Sequence, residues 1–474
     1  MKRKQWLISI VIILAIVAVY LAQGHVQTNH AFVDGTGARN DDELAKLERA
    51  LEIIEEQYVE EVDRDTLIEG AIEGMLQKLD DPYSVYMDPE TVERFVESLG
   101  SHFEGIGAEV SMQDGKVTIV APFKESPAEK AGLLPNDKII KIDGEPTEGL
   151  SLYEAVLKIR GEKGTTVRLT IERPGTNELF DVTVTRDEIP IETVRTDLIE
   201  RDDKTFGLIE ITSFSEETAK EFEKALNELE KQGIDGLLID VRGNPGGYLD
   251  AVRDIGNLLI PKGKPIVQIE NRHGEKVRYQ SSLAEPKPYP IIGIADETSA
   301  SASEILMAAL IEAGHYDVVG ETTFGKGTVQ QSIQLGDGSE LKLSLYRWLT
   351  SDGNNINGKG VEPTVKVKQP DYFYVPPLSI EEPLKREMMN EQIKSAQVML
   401  KGIGLETGRT DGFFDEQTEK AVIAFQQSHD LPVTGEIDKE TATKLQDKIL
   451  EKIRAKENDR QLQTAIELLI EQAK

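Results

Sequence analysis

Residues 290–313 read PIIGIADETSASASEILMAALIEA. The run from Pro290 to Ala295 is short, apolar and rich in isoleucine, the pattern of a strand buried on both faces. A turn of small polar residues follows, then an apolar run from Ile305 to Leu310 that reads as a buried helix, extending from about Glu304 to Ala313. A strand that passes through a tight turn into a buried helix is the repeating unit of an α/β sheet. The same alternation continues outward. Phe206 to Ile211 is a β run, Ser215 is placed to cap a helix reaching Gln232, and Gly236 to Val241 is another buried strand. Asp317 to Val319 and Leu341 to Leu345 add strands downstream. The reading is a largely parallel α/β core over residues 188–370, followed by a proline-containing linker over 371–393.

The turn in residues 298–304 has two readings. Ser301-x-x-Glu304 fits a capping box, in which the two side chains satisfy free amides at a helix start. The same kind of strand-to-helix turn is where hydrolases expose a nucleophilic hydroxyl, with helix-terminal amides aimed at a developing oxyanion. A serine there needs a base. His273 sits in a polar turn and His315 at a helix end, and neither has a triad setting. Lys326 is a better candidate. It lies in residues 321–331, ETTFGKGTVQQ, between two glycines and among apolar neighbours, where burial would favour the neutral amine. Gln330, four residues on, would share its side of a strand and could orient it. A phosphate loop is excluded because the GxxxxGK[ST] spacing is missing. In residues 239–249, IDVRGNPGGYL, a strand runs into Pro-Gly-Gly, a turn whose exposed amides suit an oxyanion hole.

Residues 104–187 alternate short strands with turns. Lys116 to Val120, Lys138 to Ile142 and Val167 to Glu172 read as strands, and Ser126-Pro127 opens a short helix closed by Gly132. With Gly105-Ile106-Gly107-Ala108 and the run SPAEKAGLLPNDKIIKIDG over 126–144, this segment resembles a PDZ domain. The resemblance implies a groove that takes a peptide tail as an added strand, with the amides of Gly105, Ile106, Gly107 and Ala108 holding its terminal carboxylate. The order of PDZ segment, strand turn, SASASE serine and FGKGxxQ lysine resembles the carboxyl-terminal processing (tail-specific) serine peptidases. That resemblance implies a crotonase- or Clp-like α/β core with an inserted PDZ domain. It assigns Ser301 as nucleophile, Lys326 as base and Gln330 as its support. Ala302 with Gly246 or Gly247 would bind the oxyanion. Asp240-Val-Arg242 stands where Asp-Leu-Arg is more usual, a mild apolar change.

The flanks set the context. Lys2, Arg3 and Lys4 precede an uncharged apolar stretch from Trp6 to Ala22, read as a single-pass anchor over residues 1–24 with the catalytic part outside the membrane. A cleaved signal is the alternative. A polar tether follows over 25–40. A helical segment over 41–103 carries an apolar stripe through Leu44, Leu47, Leu51, Ile54 and Tyr58 that could be a dimer contact. Residues 394–448 repeat a motif twenty-three residues apart, GFFDEQT at Gly412 and GEIDKET at Gly435, each with an aspartate placed to cap a helix. This stretch resembles a peptidoglycan-binding domain. A last helix over 449–474 presents Leu462, Ala465, Ile466 and Leu469 on one face, a docking stripe that could also serve a homodimer.

The chain has 474 residues, 54 Lys plus Arg against 85 Asp plus Glu, and a net charge of −31. With 39% hydrophobic residues it can build real cores, and its length implies about three domains. Its acidity argues against nucleic acid. The absence of cysteine removes disulfides, thiolate zinc sites and cysteine nucleophiles, and six histidines without close pairing argue against a histidine metal centre. No cofactor is expected, and the partners are protein substrates with a free C-terminus. Three rival readings remain: a non-catalytic scaffold, a crotonase-type acyl transferase, and a peptidoglycan hydrolase, for which no catalytic carboxylate pair stands out.

Overall fold

The computed structural model describes residues 41–473 apart from 101, 114, 124, 175 and 177. The anchor and tether expected over residues 1–40 lie outside the described residues. Among the described residues no helix is long and apolar enough to cross a membrane. The chain divides into two compact units at Asp80. The first contains helices α1 (Asp41–Gln57) and α2 (Arg64–Gln77), the latter capped by Asp63, which accepts the Thr66 N–H at 3.0 Å. Leu44, Leu47, Ile54 and Tyr58, members of the stripe read from the sequence, are exposed.

The second unit opens with β1 (Val85–Met87), α3 (Pro89–Leu99) and β2 (His102–Gly105). Next come β3 (Ala108–Gln113), β4 (Lys116–Pro122), α4 (Pro127–Lys130), β5 (Lys138–Ile142), the two-residue β6 (Glu145–Pro146), α5 (Leu152–Ile159), β7 (Thr166–Glu172) and β8 (Phe180–Thr185). These strands form an antiparallel sheet of order β3-β4-β5-β7-β8. Val117, Ile119, Ile139, Leu169 and Ile171 point inward to meet Ala155 and Ile159 of α5. Strand β3 is left at an edge, as a PDZ groove requires. Then β9 (Asp187–Pro190) pairs antiparallel with β2, so the inserted domain enters and leaves through neighbouring strands.

The α/β core follows as β10 (Val194–Arg201), β11 (Lys204–Ile211), α6 (Thr218–Lys231), β12 (Gly236–Asp240), α7 (Leu249–Leu259), β13 (Pro265–Asn271) and β14 (Lys276–Gln280). It continues through β15 (Ile291–Ala295), α8 (Ala302–Glu312), β16 (Asp317–Gly320), β17 (Thr328–Gln334), β18 (Glu340–Leu349) and β19 (Val365–Lys366). The main sheet has the order β10-β11-β12-β15-β16-β19 and is parallel except for β10. Its central strands β12 and β15 are buried at every residue, because helices cover both faces. On one face Ile209, Leu237, Ile239 and Ile291 pack with α6, α7 and α8. Their neighbours Leu208, Leu238 and Ile292 point the other way. A second, antiparallel sheet runs β1-β18-β13-β14, with β17 also on β18. Ser215 does not cap α6, which starts at Thr218. The Thr218 hydroxyl accepts the Ser215 N–H at 2.8 Å, and the intervening residues form a turn instead.

After the linker come α9 (Glu391–Gly402), α10 (Glu416–Ser428), α11 (Lys439–Arg454) and α12 (Arg460–Gln472). The repeat is a capping repeat: Asp415 accepts the Thr418 N–H at 2.9 Å and Asp438 the Thr441 N–H at 2.8 Å. The stripe of α12 is covered inside this chain. Leu462, Ala465, Ile466 and Leu469 close the second face of the main sheet against Phe206, Leu238, Ile292 and Ile294. The C-terminal half of the expected dimer contact is therefore spent on the chain's own core.

Candidate active site

The three alternating serines of the SASAS turn do different work. Ser299 Oγ donates to the Val241 carbonyl at 2.8 Å, and Ser303 Oγ donates to the Asn244 carbonyl at 2.9 Å. Both are fully buried and stitch the helix start to the end of β12. Ser301 lies between them on the outer side, partly exposed, at φ 56° and ψ −111°. A non-glycine residue there carries strain of about 1–3 kcal/mol, and the surrounding bonds must hold it. Its hydroxyl bonds to no other side chain among the described residues, His273 and His315 included, and both histidines are exposed.

Glu304 supplies much of that support. Its side chain is fully buried. One carboxylate oxygen accepts the N–H groups of Ser301 and Lys326, each at 2.8 Å. The other accepts the Thr323 hydroxyl at 2.6 Å and the Gly325 N–H at 2.7 Å. The Ser-x-x-Glu pattern alone gives Glu304 only a capping role. In three dimensions one carboxylate joins the serine turn to the lysine loop across more than twenty residues.

The Gly-Gly turn packs directly on this elbow. A Cβ at Gly246, whose φ is 103°, would lie 2.8 Å from Ser301 Cβ and 3.0 Å from Ala302 N. The space beside the Ala302 amide exists because residue 246 has no side chain. Asn244, fully buried, shapes the turn: its Nδ2 donates to the Ile211 carbonyl at 2.8 Å and its Oδ1 accepts the Gly246 N–H at 2.8 Å. The Gly246 amide is thus committed. The N–H groups of Ala302 and Gly247 have no hydrogen-bond partner among the described residues, and Gly247 is exposed. Of the two glycines, Gly247 has the amide that is free to meet an oxyanion.

Lys326 is half-buried in the loop before β17. Its carbonyl accepts the indole N–H of the buried Trp348 at 2.7 Å, which fixes the backbone. Burial pushes its ammonium down from the ordinary lysine value and nearby Lys342 adds to that, against the opposing pull of Asp81 and Glu304. Its Nζ makes no hydrogen bond to Ser301 and lies 4.9 Å from the centre of the Tyr83 ring. Gln330 is not on the lysine: its amide donates to Thr328 Oγ1 at 2.9 Å and Ser344 Oγ at 3.0 Å. The period-two argument fails because Lys326 precedes the strand and a register shift falls between Val329 and Gln330.

In the PDZ segment, the Gly105–Ala108 loop is held by its carbonyls. Phe123 N–H donates to the Gly107 carbonyl at 2.9 Å, and Ala128 N–H to that of Ile106 at 2.8 Å. A Cβ on Gly107, at φ 71°, would fall 2.6 Å from Ser126 Cβ. The amides of Ile106 and Gly107 have no partner among the described residues, beside the open edge of β3.

This geometry agrees with what the chain is similar to. Residues 205–367 match the model of peptidase family S41, 105–184 that of the PDZ domain, and 389–445 that of a putative peptidoglycan binding domain. Residues 14–91 match the model described as the activating protease CtpB N-terminal domain. The carboxy-terminal processing protease CtpB of Bacillus subtilis is 55% identical over 432 residues, covering 91% of this chain and 90% of that protein. CtpA of the same organism is 41% identical over 469 residues, 99% of each. Among solved structures, the photosystem II D1 C-terminal processing protease is 28% identical, with a TM-score of 0.43 over 68% of this chain and 86% of that one. The chain belongs to the carboxy-terminal processing proteases of peptidase family S41, serine-type peptidases that carry a PDZ domain.

Proposed function

We propose that this peptidase acts outside the membrane, anchored by its N-terminal apolar stretch, on proteins whose free C-terminus its PDZ groove captures, using Ser301 and Lys326 as a dyad. The observation that carries this reading is the strained Ser301 elbow, tied through Glu304 to a half-buried lysine whose charged form is disfavoured. The neutral Lys326 amine takes the Ser301 proton as Oγ bonds to the scissile carbonyl carbon. The Ala302 and Gly247 amides hold the oxyanion. Its collapse breaks the C–N bond, Lys326 returns the proton to the leaving amine, and a lysine-activated water then frees the acyl group. The lysine must first swing off the Tyr83 ring onto Ser301, a rotation of a flexible side chain. Gln330 acts on the lysine only through the groups around it.

The tail carboxylate is held by the amides of the Gly105–Ala108 loop. The C-terminal module faces peptidoglycan on the cell-wall side, and the exposed stripe of α1 pairs two copies into a homodimer. The test is cleavage of an unstructured protein by the full chain in detergent, beside Ser301→Ala and Lys326→Ala, with the substrate tail free or amidated. The wild type alone should cut, and amidation should slow it. Equal cleavage by all three proteins would remove the dyad.

A further inference from the structure

The turn Asp81-Pro82-Tyr83-Ser84 falls within the helical segment expected over residues 41–103. In the structure it is built into the active site. The Asp81 carboxylate accepts the Tyr83 N–H at 3.1 Å and the Ser84 hydroxyl at 2.6 Å. Ser84 Oγ in turn accepts the Ser344 N–H of β18 at 3.1 Å. The Ser344 hydroxyl is the one that takes the Gln330 amide. The expected lysine-supporting glutamine therefore belongs to the bonded frame that fixes Tyr83, and the face of the Tyr83 ring lies 4.9 Å from Lys326 Nζ.

An aromatic face attracts an ammonium ion and has no comparable attraction for a neutral amine. The contact is thus selective for the protonated lysine. The charged groups that act on Lys326 are Lys342, which with burial opposes its charge, and Asp81 and Glu304, which favour it. Lys342 has its own aromatic seat, with its Nζ 4.4 Å from the Phe95 ring centre. We propose that Tyr83 is a positioning residue: its ring seats the Lys326 ammonium away from Ser301 between turnovers, and so sets how far the pH must rise before the base is available.

This inference rests on the Ser301–Lys326 reading, and the experiment separates the two. The pH dependence of kcat/KM is measured for the full chain with Tyr83 unchanged, Tyr83→Phe, Tyr83→Leu, and position 83 carrying trifluorophenylalanine. The acidic limb follows the fraction of neutral Lys326. Weakening the attraction for the ammonium lowers its pKa and moves that limb to lower pH. The Phe variant should keep the wild-type limb. The trifluoro variant, which has the same shape and an electron-poor ring, and the Leu variant should each move it down by about half to one unit. On the limb they would gain roughly three- to tenfold in rate relative to their own plateaus. A ring that merely packs would lower the plateau and leave the limb in place, which would overturn the proposal. The trifluoro variant keeps the test valid even if Tyr83→Leu does not fold. Substantial activity in Lys326→Ala would sink the dyad itself and this inference with it. An inactive Lys326→Ala with an unmoved limb would sink this inference alone.

Discussion

Replacing Glu304 tests whether one buried carboxylate holds the nucleophile and base segments together. Its two oxygens accept four hydrogens, from Ser301 N and Lys326 N on one side and from Thr323 Oγ1 and Gly325 N on the other. Glutamine keeps one accepting oxygen. Facing that oxygen toward Ser301 and Lys326 turns its NH2 group on Thr323 and Gly325. The Thr323 oxygen, which already accepts the Val361 N–H at 2.7 Å, can accept again, but its own hydrogen then loses the carboxylate, and the Gly325 N–H meets another donor. Two such orphans cost about 1–3 kcal/mol each, which a domain stable by roughly 5–15 kcal/mol can survive. Alanine strands all four donors and opens a cavity, a loss on the order of 4 kcal/mol or more. Catalysis should suffer beyond stability, since a shift of about 1 Å in a reacting group can cost on the order of a hundredfold. Urea unfolding read at constant m-value and kcat on a tail-bearing substrate should both rank wild type, Glu304→Gln, Glu304→Ala. An alanine variant that matches the wild type in both would refute the reasoning.

Gly246→Ala places a methyl group 2.8 Å from Ser301 Cβ and 3.0 Å from the Ala302 amide at a φ of 103°, so cleavage should fall by about a hundredfold or more while tail peptides still bind the PDZ groove in a calorimetric titration. Leu469→Ala should cost about 2–5 kcal/mol in thermal or urea unfolding, because that side chain is fully buried on the main sheet. If sedimentation instead showed a changed oligomeric state with stability intact, the assignment of α12 to the chain's own core would be wrong. These predictions stand beside the dyad and Tyr83 experiments above.

The local patterns of this chain were legible without coordinates. Strands such as Lys138–Ile142 follow from apolar runs bounded by turn residues, and the Asp415 and Asp438 caps follow from an aspartate three residues before a threonine. The serine and the lysine could be picked out because a small-residue turn into a buried helix, and a lysine between glycines, are unusual local chemistry. The turn at Ser215 misled because a serine before a helical run resembles a cap even when the helix begins at the next threonine. Gln330 misled because periodicity holds only inside a strand of unbroken register.

What the sequence by itself determined is the set of local instructions: alternation, caps, turns, an acidic cysteine-free composition, and candidate nucleophile and base. What only the tertiary structure decided is how distant pieces share one set of bonds. Ser301 is the outward serine because Ser299 and Ser303 are spent on carbonyls of the β12 turn some sixty residues away. Gly247 rather than Gly246 has the free amide because Asn244 turns back on its neighbour. Tyr83 meets Lys326 across more than two hundred residues, and α12 closes a sheet that begins as far back as β10. Hydrogen bonds and buried faces are satisfied in space, by whichever groups the fold brings near, and chain distance carries no record of that choice.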